Sequence, residues 1–324
     1  MTATTDLLTD AARLRAEYAA LTERCGLVDR SERGKLALSG PDAKTFLAGQ
    51  VTNDTEALQP GDGCYAAFLT HKGRMLGDLR VLDVGEELLL DTERVALQAL
   101  FDMIRRFKVG YELELHKRTV ERGLLSLIGP EAERVTATEG LPDVEHANAP
   151  VTIQGIEALA ARTDTGVDLI CDSADTESLI QTLCGRDTVA VSVQATEIVR
   201  IEHGRPRYGV DMDESTIPQE AGLNERAVSF TKGCYVGQET VARLYYKGKP
   251  NRLLRGLRLS EPAPPGTELR LGEKAVGRLS SAAISPTFGP ISLGLVRREA
   301  QIGASLSVGD GNGSAAVVEL PFKA

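Results

Sequence analysis

Apolar residues recur at helix or strand spacing along most of this chain. Over residues 6–25 they fall three or four positions apart with charged residues between them, which predicts an amphipathic helix. Short apolar runs separated by glycine-containing turns predict strands further on. In the first half the strands are expected at 35–38, 65–69, 74–82 and 87–90, and a helix is expected over 92–106.

One strand–turn–helix pattern occurs twice. The letters LALSGPDA, beginning at Leu36, return 89 residues later as LSLIGPEA, beginning at Leu125. In the first copy Ser39 or Gly40 can cap a helix, and the proline and aspartate that follow suit its first turn. The repeat predicts two related α+β halves, although five shared letters can also arise by chance.

The second half continues with similar elements and then changes character. A strand is predicted over 167–171, a helix over 174–184, and a strand or short helix over 189–202. Residues 262–266 mark a boundary, after which glycine interrupts a series of short runs, a pattern typical of a small antiparallel barrel. We therefore expect an α+β fold with modules at 1–120, 121–250 and 251–324.

The composition indicates a globular protein with aliphatic cores. The chain is 42% hydrophobic, 26% charged and 4% aromatic, and it has no tryptophan. No run approaches the roughly 18 apolar residues of a membrane span, and residues 1–10 lack the features of a signal peptide. We therefore expect a cytoplasmic protein without membrane contact. The net charge of −9 argues against direct nucleic-acid binding, which requires a basic surface.

The five cysteines are widely spread and form no CxxC pattern. Their odd number and spacing argue against a disulfide framework and predict no metal site held by this chain alone. Four of them are expected to be buried, reduced thiols: Cys25, Cys64, Cys171 and Cys184.

The most informative segment is residues 232–239, KGCYVGQE. Cys234 stands two positions after Lys232 and just ahead of a predicted helix over 239–244. A nearby cation and the unpaired N–H groups of a helix N-terminus both stabilise a thiolate. Gly233 and Gly237 permit a positive φ or the close approach of a ligand. The alternative is a polar turn with a small buried cysteine.

Two other segments carry dense charge. Residues 200–211 contain Glu202, whose carboxylate can accept two N–H donors from a heteroaromatic ring. The alternative there is a solvated turn with a structural Arg–Glu pair. Residues 240–260 hold six basic and no acidic residues, and they can attract a polyanion or form the charged exterior of a strand pair. Tyr245 and Tyr246 in this segment can stack on a flat ring.

Motifs for nucleotide hydrolysis, dinucleotide binding and a serine triad are absent from the sequence. Residues 232–239 instead resemble the K-G-C-Y-x-G-Q-E signature of the YgfZ-type folate-binding proteins. These are relatives of the glycine-cleavage T-protein, an aminomethyltransferase, and support the maturation of iron–sulfur enzymes. The resemblance extends over most of the chain and includes residues 39–56, 200–209 and 218–223.

This resemblance implies two ferredoxin-like α+β modules and a C-terminal β-barrel around a central opening that binds tetrahydrofolate or a derivative. Glu202 would match the carboxylate that pairs with the pterin ring. Cys234, with Lys232, would match the thiol needed for function. The remaining residues expected around the folate are Arg200, Arg226, Gly233, Tyr235, Gly237, Gln238 and Glu239.

One departure concerns the acidic pair that T-proteins carry on a strand matching residues 76–79. Gly77 occupies one of the two positions, so Asp78 alone remains as a catalytic candidate. The T-protein counterpart of residues 232–239 also lacks the cysteine. Both differences favour an accessory folate-binding protein over an aminomethyltransferase. Its expected partners are a folate and, transiently, iron–sulfur enzymes or assembly proteins, including enzymes that modify tRNA.

The alternative is an enzyme that transfers a one-carbon unit from a methylated amine to tetrahydrofolate, with Asp78 as its orienting acid. A third hypothesis is an adaptor that binds partner proteins and has lost its folate.

Overall fold

The computed structural model describes residues 2–323, with side chains from residue 10 onward. It consists of two compact units. The first comprises residues 2–66 and 78–196, and the second comprises residues 67–77 and 197–323. Within the described residues, no helix is long and apolar enough to cross a membrane.

The first unit is built from two sheets flanked by helices. Its helices are α1 (Thr2–Glu23), α2 (Ala43–Gln50), α3 (Leu97–Phe107), α4 (Ala132–Thr136), α5 (Thr176–Cys184) and α6 (Val193–Glu202), the last continuing into the second unit. Its strands are β1 (Gly26–Asp29), β2 (Gly34–Ser39), β3 (Gly63–Leu69), β4 (Met75–Asp83), β5 (Glu87–Thr92), β6 (Glu114–Lys117), β7 (Arg122–Ile128), β8 (Asn148–Ile153), β9 (Ile156–Thr163), β10 (Gly166–Asp172) and β11 (Val189–Ala190). The end of β3 (67–69) and the start of β4 (75–77) belong to the second unit.

One sheet has the order β3-β4-β5-β2-β6 and the other has the order β11-β1-β7-β10-β9-β8. β7 lies inside the second sheet and is buried on both faces. Leu125 and Leu127 pack in a core with α5, whereas Leu124 packs in another core with Ala37 and Leu82 of the first sheet. A strand covered on both faces reads as a continuous apolar run, as β7 does.

The repeated sequence pattern corresponds to the same local structure in both copies. β2 leads through Gly40 into α2, and β7 leads through Gly129 into α4. Their φ angles are +108° and +126°. A Cβ atom would lie 2.5 Å from the carbonyl oxygen of Glu112 in the first case and 2.4 Å from that of Arg24 in the second. Both turns therefore require glycine.

Several details differ from the sequence-based expectations. Neither Ser39 nor Gly40 caps α2, because Asp42 occupies the N-cap position and the Ser39 hydroxyl bonds to His116 instead. Residues 193–202 form a helix, so Glu202 ends α6 rather than a strand. α1 ends at Glu23; the side chains of residues 6–9, part of its predicted amphipathic face, lie outside the described residues.

The second unit contains α7 (Asn224–Ala227), α8 (Gln238–Lys247) and the C-terminal strands. These strands are β12 (Arg252–Leu259), β13 (Glu268–Leu271), β14 (Lys274–Arg278), β15 (Ala282–Ser285), β16 (Gly289–Arg297), β17 (Ser305–Val308) and β18 (Ser314–Val318).

The C-terminal strands form an antiparallel barrel. The order is β12-β18-β17-β13-β14-β16, and pairing of β12 with β16 closes it. β15 pairs with β16 beside the closed ring. Leu257, Leu269, Val296 and Leu306 are among the residues that fill its core. The predicted α+β class with a C-terminal barrel is confirmed, while the three module boundaries and the central opening stay predictions.

Candidate functional site

Asp78 lies on β4 in the first unit and is 7% exposed. The hydroxyl of Tyr65, on the neighbouring strand β3, donates a hydrogen bond to its Oδ2 atom. The Thr92 hydroxyl donates to the backbone oxygen of Asp78. Burial raises the pKa of Asp78 to about 6, against opposing effects of the Tyr65 hydrogen bond and the charge of Arg33. This carboxyl group therefore titrates close to neutral pH.

A buried network of charges adjoins Asp78. Arg33 Nε lies 2.8 Å from Asp91 Oδ1, and the same guanidinium pairs with Glu93. Asp91 also pairs with Arg80, Nη2 to Oδ2, at 3.0 Å. Burial pushes the pKa of Asp91 up, but the charges of Arg33 and Arg80 outweigh it and lower that pKa.

Arg80 extends the network from one sheet to the other. Its Nη1 atom lies 2.7 Å from Asp168 Oδ2, and these residues belong to β4 and β10. Lys35 is also fully buried, and its ammonium donates to the carbonyl oxygens of Ser31 and Arg33 at 2.9 and 3.0 Å. Burial lowers the pKa of Lys35. These hydrogen bonds hold the turn that carries Arg33.

Glu202 is the last residue of α6 in the second unit and is 7% exposed. Ser285, at the end of β15, donates its hydroxyl to Glu202 Oε1 at 2.5 Å. The backbone oxygen of Glu202 accepts from the N–H of Phe322 at 2.8 Å. The helix end and the barrel therefore hold this carboxylate together.

Arg200, two residues earlier, was expected to bind the folate. Its guanidinium instead donates to acceptors within its own unit: Glu197, Arg205, Asp211 and Ser281. Five hydrogen bonds engage all five N–H donors of an arginine. Arg200 therefore braces the loop that follows Glu202, and a direct hydrogen bond from it to a ligand is not supported.

The loop at 232–239 packs against the turn between β3 and β4. Gly237 has φ +86° and precedes α8, and a Cβ atom on it would lie 2.5 Å from the oxygen of Thr70. Gly73 approaches the same place from the turn, its Cα lying 3.1 Å from that Cβ position. A Cβ on Gly233 would meet nothing within 4 Å. Contacts within the fold thus require a glycine at position 237 but not at position 233.

Cys234 is exposed, as the interpretation of it as a reactive thiol requires. Lys232 places its ammonium 5.2 Å from the ring centroid of Tyr235, a cation–π contact. Tyr235 itself is buried, which raises its pKa to about 12. Gln238 and Glu239 open α8, one residue earlier than predicted for that helix, and Arg226 lies on α7.

The other cysteines follow the expectation only in part. Cys25 and Cys171 are buried as predicted, and Cys64 is half-buried. Cys184 is exposed, contrary to prediction, because it is the last residue of α5 and lies on the solvent side. Among the described side chains no group of His, Cys, Asp and Glu could hold a metal ion.

The basic segment at 240–260 divides into two parts. On β12, Arg252 pairs with Glu220 at 2.9 Å and Arg258 donates to the oxygen of Lys323, which fits the charged exterior of a strand. On α8, Tyr245 stacks on Phe230 with ring centroids 3.7 Å apart. That ring is therefore already stacked within the chain.

Nothing in the sequence marks Tyr65 and Arg33 as neighbours of Asp78. Tyr65 reads as an ordinary strand residue and Arg33 as part of a polar turn. The sequence does place a tyrosine on the strand before the one that carries Asp78. The spacing of the two residues does not reveal that their side chains meet.

Comparison with known proteins identifies the family. Residues 9–232 match the model of the GCVT N-terminal domain, and the chain belongs to that family. A chloroplastic protein of Arabidopsis thaliana named as a transferase is 30% identical over 92% of this chain and 71% of its own length. An aminomethyltransferase of Rubrobacter xylanophilus is 29% identical over 96% of this chain and 86% of its own length.

The same similarity is found among solved structures. The glycine cleavage system aminomethyltransferase T of Bartonella henselae superposes with a TM-score of 0.85 at 25% identity, covering 96% of this chain and 89% of that one. The predicted membership of the T-protein superfamily is thereby confirmed.

Proposed function

We propose that this chain binds tetrahydrofolate or a derivative and transfers to it a one-carbon unit from an aminomethyl donor. The donated carbon is already at the methylene oxidation level, so its bond to the folate nitrogen forms as its bond to the departing amine breaks. The observation that carries the proposal is the buried carboxyl group of Asp78, with its hydrogen bond from Tyr65 and a pKa of about 6. The similarity to proteins named aminomethyltransferase supports the same reaction class. The comparisons therefore favour the enzyme over the accessory protein that residues 232–239 suggested.

The chemistry of Asp78 suits this role. A group with a pKa near the working pH can exchange a proton and can also hold a cationic amine as a carboxylate. When bound, the folate supplies the nitrogen that accepts the one-carbon unit. Asp78 would orient the amine and hold or release a proton at its other carboxylate oxygen, Oδ1.

Glu202 fits the folate itself. A carboxylate offers about four acceptor positions, and Ser285 uses one of them on Oε1. Paired N–H donors on a pterin ring match a carboxylate in bidentate geometry, which is strong and orienting. The burial of Glu202 strengthens such a bond, because less water competes for the oxygens.

Titration calorimetry with tetrahydrofolate tests the binding step. We expect a dissociation constant near 1 μM, about −8 kcal/mol, and a loss of about 10- to 100-fold in Glu202→Gln. Glu225→Gln, an exposed glutamate in the same unit, is the matched control and should bind normally. Absence of heat with the wild-type protein would leave the pure adaptor as the better hypothesis.

Turnover with aminomethyl donors tests the chemical step. Asp78→Asn should lower kcat by about 100-fold or more while leaving the folate dissociation constant within about 2-fold. Asp143→Asn, on an exposed aspartate of the same unit, should retain full activity. Equal turnover by wild type and Asp78→Asn would remove Asp78 from the mechanism.

A second candidate function rests on the exposure of Cys234. A solvent-facing thiol in a glycine-flanked loop can ligate a metal centre transiently or exchange with a partner's thiol. We propose on this basis that the chain assists the assembly or repair of iron–sulfur enzymes, including those that modify tRNA, with Lys232 and the folate site supporting it.

Complementation separates this second function from the first. In a strain lacking the native gene, Cys234→Ser should fail to restore iron–sulfur enzyme activities, whereas Cys184→Ser, also exposed, should restore them. Full restoration by Cys234→Ser would contradict the role of this thiol. Restoration by Asp78→Asn would show that the assembly role does not require one-carbon transfer.

A further inference from the structure

Tyr65 and Asp78 form a polar pair between adjacent strands of the first unit. The Tyr65 hydroxyl donates to Asp78 Oδ2, and the backbone oxygen of Tyr65 accepts from Asn53 Nδ2 at 2.9 Å. The backbone of Asp78 is tied in turn by the Thr92 hydroxyl. Both partners of the pair are thus anchored through their main chains as well as through their side chains.

We propose that Tyr65 is a positioning residue, which holds the Asp78 carboxylate in one orientation and keeps it charged at neutral pH. This inference rests on the proposed one-carbon transfer for its catalytic meaning. The terminal torsion of an aspartate is soft, so burial alone does not select one rotation of the carboxyl group. A donor fixed on Oδ2 selects one rotation of the group.

The hydrogen bond from Tyr65 acts on Asp78 together with nearby charges. The titratable groups that act on it are Tyr65 from β3, Arg33 from the turn before β2 and Glu93 after β5. Arg33 favours the carboxylate, but its own charge is shared with Asp91 and Glu93. Tyr65 is the donor placed directly on a carboxylate oxygen, and it opposes the effect of burial without adding charge.

Nuclear magnetic resonance of folate-free protein tests the pair without reference to turnover. In protein labelled with 13Cγ-aspartate, the Asp78 signal is identified by its loss in Asp78→Asn. We expect a titration midpoint near 6 in the wild type. In Tyr65→Phe, which keeps the ring and removes only the hydroxyl, the midpoint should rise by about one pH unit.

Tyr111→Phe is the matched control. Tyr111 belongs to the same unit and packs its ring edge-on against Phe46, with ring centroids 5.2 Å apart. Loss of the Tyr111 hydroxyl should leave the titration midpoint of Asp78 unchanged. An unchanged midpoint in Tyr65→Phe would overturn the proposal. A rise of the same size in both variants would also overturn it, because the effect would then not depend on the hydroxyl at position 65.

Steady-state kinetics then tests the catalytic meaning. In Tyr65→Phe the acidic limb of the kcat/KM profile should move to higher pH by the shift measured for the Asp78 signal, and kcat at pH 7 should fall about 3- to 10-fold with KM for the folate little changed. A profile that does not move, in an active enzyme, would contradict a positioning role. If the wild type shows no turnover, the proposed reaction fails, while the resonance titration still decides whether Tyr65 controls Asp78.

Discussion

The surroundings of Asp78 disfavour the charged form of its carboxyl group. Its pKa is 3.8 in an exposed setting and about 6 in the folded protein, and the largest cause is burial. Proteins commonly accept such a cost where a group must exchange protons near neutral pH. The same burial predicts a measurable effect on stability.

Below pH 3.8 both the folded and the unfolded chain carry a protonated Asp78, so there is no penalty. Between pH 3.8 and about 6 the unfolded chain ionises first, and the free energy of unfolding falls as pH rises. Above that window the penalty is constant at about 3 kcal/mol. Asp78→Asn removes this penalty. The stability of the variant relative to the wild type should therefore increase as the pH rises from 4 to 6. Urea unfolding at a series of pH values checks this, and a pH-independent difference would contradict it.

The loop and helix at 232–247 depend on glycine at one position and not at another. Gly237 adopts φ +86° against the backbone of Thr70, whereas Gly233 has space around its Cβ position. Gly233 adjoins the exposed Cys234, so a glycine there is suited to the approach of a ligand or partner rather than to folding.

Alanine substitution separates these two roles. Gly237→Ala combines a positive φ with a close contact to Thr70 and should lower the free energy of unfolding by about 1–3 kcal/mol. Gly233→Ala should change it by less than about 0.5 kcal/mol. Denaturant midpoints of the two purified variants make the comparison. Equal destabilisation by both would show that the loop is held differently from this structure.

In the first unit as a whole, buried charges join the two sheets. Arg80 on β4 reaches Asp168 on β10 at 2.7 Å, with both side chains at most 10% exposed. An exposed pair of the same length, Arg122 with Asp172, joins β7 and β10 at the surface. The two pairs differ mainly in their access to water.

Removing one partner from each pair should therefore give different costs. Asp168→Ala leaves Arg80 buried with less compensation and should cost about 3 kcal/mol. Asp172→Ala should cost less than about 1 kcal/mol, since solvent screens the exposed arginine. Urea unfolding of both variants measures the two values. A small cost for Asp168→Ala would mean that the sheets do not depend on this ion pair.

Local spacing was sufficient for most helices, for strands β2–β5, β7 and β10, and for the glycine turns at Gly40 and Gly129. It did not give β1, β6, β8, β9 or the individual barrel strands. Helical period, strand alternation and positive φ are properties of a few adjacent residues, so they can be read directly from the chain. The family signature at 232–239 is equally local, and its exposed cysteine agrees with the chemistry expected of it. Segment 189–202 stayed ambiguous because short apolar runs suit either element.

The partners of the candidate residues were decided only by the tertiary structure. Tyr65 and Asp78 are 13 positions apart, and Glu202 and Ser285 are 83 apart. Strand pairing and barrel closure bring such residues together, and no local pattern encodes those contacts. The pKa of Asp78 is also decided by the tertiary structure, because the largest cause of its shift is burial, which exists only after the chain has folded.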